Sequence, residues 1–289
     1  MLEYFLHLAI LICIYAILVT SLNLALGFTG LLNLGHIAFF GIGAYTSALL
    51  VKAGVPFIIA FLAAGIIAAC FGYILMLATR KLKGDYLALT TLGFSFVIYS
   101  ILLNWISLTR GPLGIPGIPK PDFFGFIIST NLSYLVFAAI VCIIIVALLM
   151  KITNSPFGRL LQATRDDELG LRVLGKNTFL LKAKAMMISA GGAGIAGSLF
   201  AHYLSYIDPS SFLLTEIIFV VTIVIVGGIA SMKGSIFATI LLVLLPEALR
   251  FLSLPSNILG PARQIIYALL LIIILLIRPR GLFGRIDLA

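Results

Sequence analysis

Side chains able to do chemistry are concentrated in one stretch of this sequence, Ser155 to Thr178. It carries Arg159, Arg165, Arg172 and Lys176 against Asp166, Asp167 and Glu168. Leu160, Leu161, Leu169, Val173 and Leu174 recur through it at helical spacing. Mixed charge over an apolar stripe is chemistry for recognising a protein partner rather than for making or breaking bonds. Ser155 followed by Pro156 reads as an N-cap with proline in the first turn. Asp166 reads as the cap of a second short helix, with Asp167 and Glu168 suited to its dipole. Gly175 reads as its stop.

Three other patterns invite a chemical reading and do not sustain it. Gly170 to Asn177 comes within one residue of a phosphate-binding loop. The position that must hold magnesium is Asn177, and the bulky Leu171, Val173 and Leu174 keep the backbone from wrapping phosphate. Gly192-Ala-Gly194-Ile-Ala-Gly197 fits a dinucleotide fingerprint but lies inside an apolar run, where small residues let helices approach. Cys13, Cys70 and Cys142 also sit in apolar runs without metal-ligand spacing and read as packing residues. No metal site is predicted. The three histidines form no local catalytic pattern.

A second group of polar residues lies within the hydrophobic stretches: Asn33, Gly35, His36, Tyr45, Thr90, Thr91 and Ser95, with Asn23 and Asn104 nearby. They are candidates to line a polar path. The alternative is inter-helix hydrogen bonding, worth only about 1 kcal/mol each in a membrane. Glu216 and Glu247 read as lying near the outer ends of two hydrophobic stretches, and acids in such places are functional candidates.

The elements positioning these residues follow from composition. The chain has 289 residues, 62% apolar and only 10% charged, against about a quarter charged in soluble domains. Its mean hydropathy is +1.23. This is an all-α polytopic membrane protein with no soluble domain, read as one unit over 1–289. A span needs about 20 apolar residues, which predicts about nine transmembrane helices (eight to ten): 4–26, 31–51, 56–78, 86–108, 131–151, 179–203, 214–231, 235–252 and 262–278. The first opens with Glu3 and His7 and reads as a retained span rather than a signal peptide. The second is crowded with glycine and reads as broken or partly re-entrant.

The net charge of +9 resides in loops, not in a soluble basic module, so nucleic acid is excluded as a partner and membrane lipid is expected. With 155–178 in the cytoplasm, fourteen of the 19 Lys and Arg residues fall inside. That bias predicts N-terminus outside and C-terminus cytoplasmic. Residues 109–124, TRGPLGIPGIPKPDFF, and 204–215, with an Asp208-Pro209 turn, read as two ordered outer caps. Lys83-Gly84 and Lys233-Gly234 read as tight inner turns of a duplicated four-span unit.

Several stretches together resemble the LivM-type permeases, the membrane subunits of ABC importers for branched-chain amino acids. They are LNLGHIAFFGIGAYTSAL, the GIPGIP cap, GRLLQATRDDELGLRVLGKN at 158–177, GGIASMKGSIFATILLVLLPEALR at 227–250, and RPRGLFG at 278–284. The resemblance spans nearly the whole chain. It implies a bacterial or archaeal cytoplasmic membrane, a second LivH-type permease, two cytoplasmic ATPase subunits and an external substrate-binding protein. It implies alternating access driven by ATP and magnesium held on the ATPases, with no cofactor on this chain, which is then not itself an enzyme. The 155–178 loop becomes the counterpart of the loop that couples to the ATPases. Glu168 matches its acidic residue and Gly175 its glycine. The spacing is one residue longer than usual, and Leu169 and Gly170 replace two alanines. Some family members carry an additional N-terminal span, and this chain reads as starting after it. Related permeases import urea, amides or aromatic acids, so substrate stays open on this reading. An ion-coupled secondary transporter and a membrane-embedded enzyme are the competing classes.

Overall fold

The structure is a computed structural model. It describes residues 2–123, 126–128, 130–250, 256–278 and 280–284, with side chains except at 123, 126–127, 246–250, 256–264 and 275. Long apolar runs leave their backbone polar groups no partner but one another, and helix is the solution. The described residues form twelve helices: α1 (Leu2–Asn23), α2 (His36–Lys52), α3 (Phe57–Ala78), α4 (Gly84–Asn104), the single turn α5 (Ile106–Thr109), α6 (Asn131–Asn154), α7 (Pro156–Asp166), α8 (Glu168–Val173), α9 (Thr178–Leu204), α10 (Leu214–Gly227), α11 (Met232–Arg250) and α12 (Ser256–Ile277). Among the described residues, six segments are long and apolar enough to cross a membrane: Leu2–Phe28, Phe57–Ala78, Gly84–Asn104, Asn131–Asn154, Thr178–Leu204 and Pro209–Gly227. Shorter apolar helices occupy the other three predicted stretches, at His36–Lys52, Met232–Leu245 and Ile265–Ile274.

Helix α9 is the hub, and its glycines explain how. Gly192, Gly194 and Gly197 face α1, α3 and α2 respectively, each at a distance no side chain would permit. A Cβ on Gly192 would press on Ser21 of α1 at 2.7 Å. One on Gly194 would strike Ala64 and Ala68 of α3, and Gly43 of α2 already abuts the Gly194 backbone. One on Gly197 would collide with the Phe40 carbonyl of α2. The fingerprint-like spacing is therefore a packing device, as the apolar context predicts.

The second predicted stretch is indeed broken. Helix α1 runs on into a π-helical turn, Leu24–Phe28, and α2 does not begin until His36. Between them Gly30 takes φ +71°, and the buried backbone is satisfied piecemeal. Leu31 N–H donates to the Ala25 carbonyl (2.9 Å), Leu34 N–H to Thr91 Oγ1 (3.0 Å) and Gly35 N–H to Asn33 Oδ1 (3.0 Å).

The two predicted caps are one structure. β1 (Ile115–Pro116) pairs antiparallel with β4 (Tyr206–Ile207), Ile115 opposite Ile207. A separate hairpin joins β2 (Asp122–Phe123) to β3 (Phe126–Ile127). Lys52, at the end of α2, donates to the Pro116 carbonyl (2.8 Å). His202, at the end of α9, lies between Ser47 Oγ (2.8 Å) and the Pro119 carbonyl (2.7 Å). Because a carbonyl only accepts, His202 Nδ1 carries the proton and Nε2 accepts from Ser47, which in turn receives Ser198 Oγ–H (2.7 Å). The start of α1 is on this side too: Glu3 accepts from Asn131 (2.6 Å) and His7 meets Tyr203 (2.7 Å). The 155–178 segment sits at the opposite ends of α1 and α9, against Gly27 and Lys182. The segment 29–52 thus passes from one side to the other.

The predicted Lys233-Gly234 turn requires correction. Those residues lie in the first turn of α11, and the chain reverses earlier, at Gly228 (φ +107°) and Ala230 (φ +59°). Asn23 clamps that reversal: its Nδ2 donates to Ser235 Oγ (2.6 Å) and the Ser231 carbonyl (3.2 Å), and its Oδ1 accepts from Ala230 N–H (3.0 Å). From the other side Leu282 and Phe283 N–H groups bond the Val226 and Gly227 carbonyls (2.9 and 3.1 Å).

Candidate functional site

The polar segment folds as two short helices, α7 and α8, between α6 and α9. Ser155 caps α7, accepting from Gly158 N–H at 3.3 Å, with Pro156 in the first turn. The second cap is Asp167, not Asp166: α7 continues through Asp166, and Asp167 Oδ1 accepts from Gly170 N–H at 2.9 Å. Gly175 follows α8 at φ +74°, the left-handed stop its identity predicts.

The charged residues of this segment divide by what they touch. Glu168 faces inward, its side chain 15% exposed. It takes Arg172 Nη2 at 2.5 Å, Lys182 Nζ at 2.8 Å, Lys83 Nζ at 3.6 Å and Thr178 Oγ1 at 3.1 Å. Partial burial would raise its carboxyl. The Lys182 ammonium, Thr178 hydroxyl and Arg172 guanidinium outweigh that and hold it at about 2. One carboxylate therefore ties α8 to the root of α9 and to the turn between α3 and α4. Arg165 also turns inward. Its Nη1 donates to the Gly27 carbonyl at 2.7 Å, its Nε reaches Asp166 Oδ1 at 2.8 Å, and its stem fills the space beside Gly30. Arg159, Asp166 and Asp167 are exposed.

Apolar residues divide likewise. Leu161 and Leu171 are buried against the helical body. Leu169, Val173 and Leu174 are 66%, 88% and 76% exposed. Leu169 and Val173 on the six-residue helix α8, with Leu174 just after it, form a projecting apolar knob, which calls for a partner. Lys182 and Lys83 are not legible as partners of Glu168 in the sequence, because both lie on other elements and only the fold brings them in.

Five of the seven candidate path residues meet at the break before α2. Asn33, His36 and Thr91 are fully buried. Thr91 Oγ1 and Ser95 Oγ bond the Leu32 and Leu34 carbonyls (3.3 and 3.2 Å), and Gly35 packs on the Thr91 carbonyl. His36 Nε2 lies 3.1 Å from both Ser21 Oγ and the Leu18 carbonyl, while its buried Nδ1 has no hydrogen-bond partner among the described residues. Tyr45 and Thr90 are not part of this cluster. Tyr45 packs beside Phe212 (6.0 Å between ring centres), and its buried hydroxyl has no partner among the described residues. Thr90 is exposed and bonds its own helix at the Tyr86 carbonyl. At the cap, Asp208 takes both Ser210 and Ser211 hydroxyls at 2.5 Å. Burial would raise its carboxyl, but these bonds hold it below the usual range.

Glu216 lies deeper than its position in the sequence predicts. Tyr15 donates to its Oε2 at 3.1 Å, and Tyr15 is about 20 Å along its helix from Leu2 at 1.5 Å per residue. Helix α10 has 14 residues, preceded by a 3-10 turn over Pro209–Phe212. The side chain of Glu247 lies outside the described residues.

Residues 4–277 match the family model described as branched-chain amino acid transport system / permease component. The chain is 38% identical to the high-affinity branched-chain amino acid transport system permease protein LivM of Escherichia coli (strain K12), covering 95% of this chain and 68% of that protein. LivM of Salmonella typhimurium is 36% identical, over 93% and 67%. LivH of Escherichia coli (strain K12) is 26% identical, over 94% and 91%. No solved structure matches the chain.

Proposed function

Since the chain belongs to the family of permease components of branched-chain amino acid transport systems, we propose that it is the LivM-like half of an ATP-driven importer for leucine, isoleucine and valine. Its 289 residues act as one permease domain of nine membrane-crossing segments, with 29–52 serving as the second by way of the break before α2. A LivH-type permease completes the pair. Two cytoplasmic ATPases bind ATP and magnesium, and an external binding protein delivers substrate to the cap formed by β1 and β4. The chain sits in a bacterial or archaeal cytoplasmic membrane with its N-terminus outside and its C-terminus inside.

The observation that carries this reading is the split character of 155–178. One face is fixed to the membrane helices through Glu168 and Arg165. The other projects Leu169, Val173 and Leu174. A segment that is gripped by an ATPase and pulls on a permease needs both. Arg159, Asp166 and Asp167 add exposed charge to the same segment, Arg172 braces Glu168, and Gly175 ends it. Movement of the knob passes through Glu168 to α9 and through Arg165 to the π-helical turn, whose next residues form the break holding Asn33, Gly35 and His36. That break is the proposed point where a zwitterion, which hydrocarbon excludes, finds polar partners.

The test is purification of the assembled complex carrying Val173→Glu. The expected outcome is loss of the ATPase subunits while the two permeases stay together. Retention of the ATPases with full uptake overturns the coupling assignment.

The deep Glu216–Tyr15 pair favours one second reading, an ion-coupled carrier. Uptake that survives ATP depletion and collapses with the proton gradient would select it. Uptake of urea or an amide in place of leucine would keep the family and change the solute.

A further inference from the structure

Beside the proposed coupling helices is a cavity of about 200 Å³ between the inner ends of α3, α4 and α9 and the residues Thr29–Leu31. Its charged lining is Arg80, Lys83, Arg165, Arg172 and Lys182 with one acid, Glu168. Glu168 accepts Lys83, Arg172 and Lys182, and Arg165 is shared with Asp166 outside the lining. Even with Asp166 counted, positive charge exceeds negative by three. Among the described residues no carboxylate pairs with Arg80. Cations gathered this tightly repel one another unless an anion joins them.

The rest of the cavity wall says which kind of anion fits. Met76, Leu82, Leu87 and Phe179 supply an apolar side. Leu77 and Tyr86, on the adjoining turns of α3 and α4, are 46% and 73% exposed. A cationic recess at the membrane–water boundary, bordered by exposed apolar side chains and an interfacial tyrosine, matches a headgroup above an acyl chain. The volume holds a phosphate with several waters, each taking about 30 Å³. Arg presents the planar fork that phosphate oxygens accept, and Arg80 has no competing carboxylate.

We propose that this cavity binds a phosphate group, and that an anionic phospholipid of the inner leaflet supplies it. Bound there, the phosphate would bridge Arg80 on the α3–α4 turn to Arg172 and Lys182 around the latch. It would stiffen the link between the polar helices and the membrane body. The proposal rests on the inward orientation given above only for the source of the lipid, not for the binding itself.

The test uses the complete solubilised transporter, where orientation plays no part. Phosphatidylglycerol and phosphatidylcholine are supplied in equal amounts, and lipids retained after washing are counted by native mass spectrometry. The wild type should keep phosphatidylglycerol selectively. Arg80→Gln should weaken its retention about fivefold, and the Arg80→Gln/Lys83→Gln pair roughly thirtyfold, at about fivefold per cation. Arg80→Lys should retain part of it, since the charge stays and the fork is lost, and an unchanged subunit composition of the complex in the same spectra is the internal control for folding. Displacement by millimolar inorganic phosphate supports a site that reads the phosphate itself. Displacement only by anionic lipid supports the lipid source. Equal phosphatidylglycerol retention by the wild type and the double variant overturns the proposal. Failure of the orientation reading would show in side-specific labelling and leave this measurement unchanged.

Discussion

Glu168 meets Arg172, Lys182 and Lys83 at once, so its removal strands three cations rather than one. Breaking a partly buried, charge-assisted network costs more than losing an exposed pair. Glu168→Gln keeps the shape and removes the charge. It should speed amide exchange through α8 and the first turn of α9 about tenfold or more, a loss on the order of 1.5–3 kcal/mol. Asp166→Asn, at an exposed side chain, should leave exchange there nearly unchanged. Comparing the two by hydrogen exchange on the purified complex separates the latch from the surface charge. The pH dependence has a definite sign. A carboxyl held at about 2, below its ordinary 4.5, contributes stability that is fully present above 4.5 and is lost as pH falls toward 2. Exchange in α8 should therefore be pH-independent, after correction for intrinsic rates, from neutrality to about pH 5, and should rise only below that. A rise already between pH 7 and 6 would mean that Glu168 does not hold the loop.

Among the elements, α9 has the least room for change. Its Gly197 touches the Phe40 carbonyl, which is backbone and cannot rotate away. Gly197→Leu should separate α9 from α2 and cost about 3 kcal/mol or more, read as loss of the monodisperse complex in detergent. Gly54→Leu, in open space though at φ +88°, should leave the complex intact at a local cost of about 1–2 kcal/mol. At the other end of α9, His202→Ala would leave Ser47 and the Pro119 carbonyl without their shared partner. A loss of about 1–3 kcal/mol, concentrated in the cap, should appear in thermal unfolding. These elements also show where the sequence was readable. The spans, the glycine-rich approach, the Ser155 cap and the Gly175 stop depend on residues within a turn of each other, so composition and spacing reveal them. The second cap fell one residue late, on Asp167, because α7 holds on to Asp166. The unity of the two outer caps, the Asn23 clamp on Ala230 and Ser235, and the depth of Glu216 depend on chain segments brought together from far apart. Nothing local in the sequence encodes those distances.

For the molecule as a whole, the strongest constraint is that its polar ends are opposite in kind. At one end β1 and β4, Lys52 and His202 build a cap from backbone pairing and side-chain hydrogen bonds to its carbonyls. At the other, α7 and α8 hang from ion pairs and present exposed apolar side chains. Ends divided this way suit the proposed delivery to the cap and the proposed drive through α7 and α8. The charge census agrees, since the second end also carries Arg80, Lys81, Lys151, Lys176, Lys184 and Lys233. Single cysteines decide it in a background lacking Cys13, Cys70 and Cys142. In sealed, right-side-out membranes an impermeant maleimide should label Leu113→Cys, in the cap and 72% exposed. It should leave Val173→Cys unlabelled until the membrane is opened. Because Leu2 is on the cap side of α1, Leu2→Cys should follow Leu113→Cys. If Val173→Cys and Leu113→Cys exchanged behaviour, the chain would be inverted, and the knob on α8 could not meet a cytoplasmic ATPase. If Leu2→Cys alone followed Val173→Cys, the segment 29–52 would fail to cross, and the break before α2 would be a re-entrant loop in the membrane.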